Sequence, residues 1–131
     1  MSQENVELAH RFVDAFNQRD LGAVLELMDA DVEGIALEVE LEGRYHGHAG
    51  IRRWYAGLMD TIPDIALEVV EMRDLGDQTL AALRLAGHGA LSDTPTEVPL
   101  WVLGEWRDRK AVRWKAYGTE AEALEAAGLA E

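Results

Sequence analysis

The stretch from Arg11 to Met28, RFVDAFNQRDLGAVLELM, limits the folds open to this chain more than any other. It reads as the end of one amphipathic helix, a four-residue polar turn, Asn17-Gln18-Arg19-Asp20, and a second short helix. On the first helix Val6, Ala9, Val13 and Phe16 fall on one stripe, which Leu8, Phe12 and Ala15 widen. Phe12 and Phe16 are i,i+4 neighbours and point the same way. Ser2 is the expected N-cap of this helix, and Asp20 that of the next. In the second helix Leu21, Val24, Leu25 and Met28 form the apolar face, and Asp29-Ala30-Asp31 is expected to end it. Two helices with faces this broad need a large apolar surface to lie on.

The rest of the chain supplies a sheet. From Val32 the period changes to two: Leu37, Val39 and Leu41 alternate with Glu38, Glu40 and Glu42, which predicts a half-buried strand with carboxylates outside. Gly43 and Gly47 bracket a turn, and a third helix is predicted from His48 to Ile62, stopped by Pro63. Its buried stripe is Ile51, Trp54, Tyr55, Leu58 and Ile62. Strands follow at 64–73, 78–90, 97–107 and 111–117, with turns at 74–77 and 108–110 and a loop at 92–95. Gly87 and Gly89 predict a bend or bulge in the second of these strands. Thr119 and Glu122 make a capping box for a terminal helix at 120–127, with Gly128 at its C′ position. Helices on one side of an antiparallel sheet make an α+β domain, and 131 residues fit one such domain, spanning 1–131.

Composition removes several classes of function. With no cysteine there is no disulfide, thiolate metal site or thiol nucleophile. A net charge of −13 opposes a phosphate backbone, so nucleic acid is not expected as a partner. No run is apolar enough to cross a bilayer, and MSQENVELAH lacks the basic start of a secretory signal, so a cytoplasmic protein with no membrane partner is expected.

Four segments, in order, resemble the NTF2-like superfamily, and its SnoaL-like branch of polyketide cyclases and ketosteroid-isomerase relatives in particular. AFNQRDLGAVLELMDADVEG is similar to the opening helical pair and YHGHAGIRRWYAGL to the third helix with its leading Tyr-x-Gly turn. EWRDRKAVRWKAY is similar to the last hairpin, and ALEAAGL to the tail. The resemblance implies a cone: a curled mixed or antiparallel sheet wrapped around three N-terminal helices, a pocket at the wide end, and pairing into a homodimer through the outer sheet face.

The same resemblance locates where the chemistry of those relatives would stand. Phe12 occupies the place of the isomerase's oxyanion tyrosine, Gly34 that of its aspartate base, and Val102 that of its second oxyanion donor. Tyr55 matches a tyrosine of the polar network. Ala116 stands where the cyclases and epoxide hydrolases carry an acid, and Arg84 is all that remains of the hydrolases' charged pair. Proton-handling groups are thus replaced by inert ones, except where Glu38 or Glu40 fills the base role from a shifted position.

Two further groups remain. His46 and His48 make an H-x-H and His88 lies on another strand, but a metal site would need a third ligand and a locked geometry, so neither metal nor cofactor is expected, and Glu38, Glu40 and Glu42 read as a solvated face. Val102 and Trp106 share parity, as do Trp114 and Ala116, and the resemblance implies that both pairs face the cone interior, where Phe12, Phe16, Trp54, Tyr55 and Leu58 of the helices are expected to join them. They either line a pocket for a small hydrophobic ligand or fill it. Trp101 has the opposite parity to Trp106 and would point outward.

The leading expectation is a small-molecule-binding protein with an aromatic-lined apolar pocket. The first alternative is an isomerase, cyclase or dehydratase whose acid–base team is relocated to Tyr55, His88 and one of Glu33, Glu38 or Glu40. The second is an interaction module with a filled cone, its outer face carried by Trp101 and Leu103.

Overall fold

The computed structural model describes residues 3–36, 44–89 and 95–129. The order is α1 (Gln3–Asn17), α2 (Leu21–Glu26), β1 (Met28–Ile35), β2 (Arg44–His46), α3 (Gly47–Thr61), β3 (Ala66–Asp74), β4 (Gln78–His88), β5 (Pro95–Arg107), β6 (Lys110–Tyr117) and α4 (Glu120–Ala126). Six strands form one sheet in the order β2-β1-β6-β5-β4-β3. All neighbours are antiparallel except β1 and β6, which run parallel. Register shifts between Met28 and Glu33, Val69 and Glu71, and Glu105 and Trp106 add local twist, which curls the sheet around α1 and α3. Among the described residues no helix is long and apolar enough to cross a membrane.

The α1–α2 turn is held by its own polar residues. Arg19 takes a left-handed backbone (φ 62°), which reverses the chain after α1. Asp20 then caps α2 by accepting from the Ala23 amide at 3.1 Å. Asn17 bonds the backbone of Leu67 both ways, donating to its carbonyl at 2.8 Å and accepting from its amide at 2.9 Å. Arg19 donates to the Pro63 carbonyl at 3.0 Å. A turn that reads as a simple helix breaker therefore also pins α1 to β3 and to the end of α3.

Three expectations are corrected here. Helix α2 ends at Glu26, and the strand begins at Met28, not Val32. The cause is β6: the Ala111 amide donates to the Leu27 carbonyl at 2.8 Å and Lys110 Nζ to the Glu26 carbonyl at 2.7 Å, drawing the chain straight into the sheet. Gly87 makes no bulge, because β4 pairs with β5 without a register shift. A Cβ there would run into Ile62 Cγ2 and lie 2.9 Å from Asp64 Oδ1, so the glycine permits close approach of the α3–β3 connection. Leu103 does not stand on an open outer face: it is buried under α4 together with Leu80 and Ala123, with Trp101 and Tyr117 packed alongside. The expected strand 37–41, the Ser2 cap and residues 92–94 of the expected loop lie outside the described residues.

Helix α4 has the ends its sequence called for. Thr119 Oγ1 accepts from the Glu122 amide at 3.2 Å. At the other end Gly128 (φ 80°) allows its own amide to reach Glu125 O and the Leu129 amide to reach Leu124 O, a Schellman closure.

Candidate functional site

Between the concave face of the sheet and helices α1 and α3 lies a cavity of about 550 Å³, within the range of small-molecule sites. Parity along the strands sets its sheet wall: Thr79, Ala81, Leu83 and Leu85 of β4 all face in, opposite Val98, Leu100 and Val102 of β5. Phe12, Phe16, Trp54, Leu58, Val102, Trp106, Trp114 and Ala116 line the cavity. The rings form a chain of contacts, with centroids 6.3 Å apart for Phe12–Phe16, 5.8 Å for Phe16–Trp54 and 5.0 Å for Trp54–Trp114. Aliphatic side chains complete the lining around these rings.

Tyr55 is the exception among the expected lining residues. It is buried but does not line the cavity; its ring and that of Phe16 meet edge to face at 5.7 Å, and its hydroxyl has no hydrogen-bond partner among the described residues. Adjacent residues on a helix project about 100° apart. Trp54 takes the cavity side, and that turns Tyr55 into the helix–helix packing.

The cavity has distinct ends. At one, Met28, Thr79, Trp106 and Ala111 are buried, and Trp106 Nε1 donates to Thr79 Oγ1 at 2.9 Å. At the other, Thr61 is exposed and Ile62, Thr96 and Val98 are partly exposed, which makes this the mouth. The described lining residues include no carboxylate, imidazole, amine or guanidinium.

The isomerase base position is physically occupied. A Cβ at Gly34 would lie 2.6 Å from Trp114 Cε2 and 3.0 Å from its Nε1. The indole of Trp114 thus covers the space that an aspartate side chain would need, and its buried N–H has no partner.

The other acid–base candidates do not meet in the cavity. Glu33 sits in a surface ion ladder, accepting from Arg44 at 2.9 Å and from Arg113 at 3.3 Å, while Arg113 also reaches Glu105 at 3.3 Å. Arg84 pairs with Glu97 at 3.3 Å and Glu68 at 3.8 Å on the same outer side. His88 is exposed near the mouth, its Nδ1 2.8 Å from Asp64 Oδ2 and its amide donating to Asp64 Oδ1 at 2.7 Å. Glu38 and Glu40 lie outside the described residues. His48 Nε2 is engaged with the Met28 carbonyl at 3.0 Å, and no group of three potential metal ligands occurs among the described residues.

The hydrogen bonds from His88 hold the Asp64 carboxyl below its ordinary pKa, the side-chain bond first and the backbone bond second. A depressed carboxyl pKa stabilises the fold above the unfolded value, and the contribution disappears as pH falls through the folded one. Asp64→Asn is therefore expected to lower Tm at pH 7, and the gap to the parent should close once the pH falls well below roughly 4. Melting curves of both proteins across that range check it; an equal gap at acid pH contradicts the assignment.

Residues 9–121 match the SnoaL-like domain family. No protein of curated function matches the chain in sequence. Several solved structures share its fold. TerC, co-crystallised with polyporic acid, superposes with a TM-score of 0.79 at 24% identity, covering 95% of this chain and 98% of its own. A putative SnoaL-like polyketide cyclase from Jannaschia gives 0.78 at 20% identity, covering 98% and 94%. A hypothetical protein with a ketosteroid isomerase-like fold from Catenulispora acidiphila, in complex with trimethylamine, gives 0.77 at 20% identity, covering 94% and 93%.

Proposed function

This chain belongs to the SnoaL-like domain family, and on that footing we propose that its cavity binds a neutral, apolar ring compound. The observation that carries this reading is the wall: six aromatic side chains and a surround of mostly aliphatic ones, with no described charged group among them. A buried ionic ligand would lose its hydration and gain no counter-charge, whereas a flat neutral ring gains stacking and dispersion. TerC, a protein of the same fold, was co-crystallised with an organic compound, polyporic acid. Proton transfer needs a positioned acid or base within hydrogen-bond reach of the reacting atoms. Tyr55, His88 and Glu33 point elsewhere.

The test is a panel of neutral polycyclic and monocyclic compounds, with charged analogues of the same size, read by thermal denaturation and tryptophan fluorescence. At a ligand concentration a hundred times Kd the fold gains about 2.7 kcal/mol, a rise in Tm on the order of 8 °C for a domain of this size. Trp54, Trp106 and Trp114 line the cavity, so the same ligands should change the emission. No response to any neutral ring compound, or a response confined to the ionic ones, refutes the reading.

A further inference from the structure

We propose that the Thr79 hydroxyl is the orienting hydrogen-bond donor of the cavity, and that the ligand is a ring ketone or quinone that enters oxygen-first. The inference rests on the cavity being a binding site and goes on to name the ligand's polar group and the residue that reads it.

Thr79 is only 3% exposed, the one polar residue among the buried side chains described, and it lines the closed end of the cavity. A hydroxyl has one proton to give and two lone pairs to receive with. One lone pair of Thr79 is taken by Trp106 Nε1–H at 2.9 Å. Trp106 is itself held, its amide donating to the Asp77 carbonyl at 2.9 Å, so the direction of this bond is set by the backbone. An indole N–H can only donate. Thr79 must therefore accept there, and its own proton is left to point elsewhere. No described residue takes that proton. Thr61, a second hydroxyl on the wall, differs: it spends its proton on the Gly57 carbonyl at 2.8 Å.

Gly104 keeps the place open. A Cβ there would lie 3.3 Å from Thr79 Oγ1 and 3.2 Å from Trp106 Nε1, tighter than ordinary packing. The closed end thus combines a donor–acceptor pair, Trp106 to Thr79, with an unspent proton and apolar walls of Met28 and Ala111. A hydroxyl proton buried beside apolar space is costly unless an acceptor arrives. Water can supply one in the empty protein; a ligand oxygen replaces it. A carbonyl fits, since it accepts in the ring plane and carries no proton of its own. A single phenol or alcohol oxygen cannot both accept the Thr79 proton and donate to the remaining Thr79 lone pair, so one of the two protons there would go unused.

The experiment compares 1-tetralone with tetralin, the same bicycle with and without the oxygen, by calorimetric titration of the parent, Thr79→Val and Thr79→Ser. The quantity read is the ratio of the two affinities, so that the different water solubilities of the compounds cancel between proteins. Thr79→Val should shift this ratio against the ketone by about fivefold, the size of one net hydrogen bond, and Thr79→Ser should leave it near the parent value. Because Thr79→Val strands the Trp106 N–H, the double variant Thr79→Val/Trp106→Phe, which removes both partners, provides a second protein with the same expected shift. An unchanged ratio in both valine variants overturns the role of Thr79 while the binding site stands. Failure of both compounds to bind the parent removes the site and this inference with it.

Discussion

Phe16→Ala is expected to destabilise the protein by about 3–5 kcal/mol, a large share of the roughly 5–15 kcal/mol that holds a domain folded. Phe16 is fully buried and touches Phe12, Trp54 and Tyr55, so it joins α1 to α3. Its removal would extend the existing cavity, and a void that opens into another void has little means of collapsing. Phe12→Ala supplies the contrast. Phe12 is only partly buried and also faces the cavity, so its loss should cost less stability and more ligand affinity. Urea denaturation of both variants checks the order; equal costs would mean that Phe16 is not the joint described.

Gly34→Asp is expected to cost roughly 3 kcal/mol or more. Gly34 does not have a left-handed backbone, so a side chain is not resisted by φ. The resistance comes from Trp114, whose ring lies 2.6 Å from the new Cβ and is backed by Trp54 at 5.0 Å between centroids. The aspartate would add a carboxylate beside apolar walls. Trp114→Ala should make room. In that background the cost of Gly34→Asp is expected to fall by at least about 1 kcal/mol, an interaction energy readable from a double-mutant cycle. Additive costs would show that the two positions do not compete for one space.

The helices, the late strands and most of the cavity wall were legible because each depends on a short period. Val102, Trp106, Trp114 and Ala116 face inward as their alternation implies, and α4 begins and ends on the cap residues that mark it. β1 was misplaced because its burial does not alternate: Met28 and Val32 are buried, with Asp31 exposed and a register shift between Met28 and Glu33. That β1 runs parallel to β6 leaves no trace in either strand, since pairing partners are set by the whole fold. Tyr55 was assigned to the pocket beside Trp54, although two successive helical residues do not share a face. Thr79 stands near a strand end, where a threonine carries no mark of burial. Its parity with Ala81, Leu83 and Leu85 was the available signal, and it points inward as they do. The Asp64–His88 pair joins residues 24 apart by contacts that no local pattern encodes.

The parallel seam between β1 and β6 has a consequence for how this protein is made. Lys110 reaches back 84 residues to Glu26, and among the described residues β1 has no other long neighbour in the sheet, since β2 spans Arg44–His46. While the chain is being synthesised, its first strand must wait until nearly the whole sequence has left the ribosome before its principal partner exists. Such distant pairing slows folding and lengthens exposure of an unpaired edge. Nascent chains stalled before Lys110 should therefore be the ones most readily held by chaperones or cut by proteases.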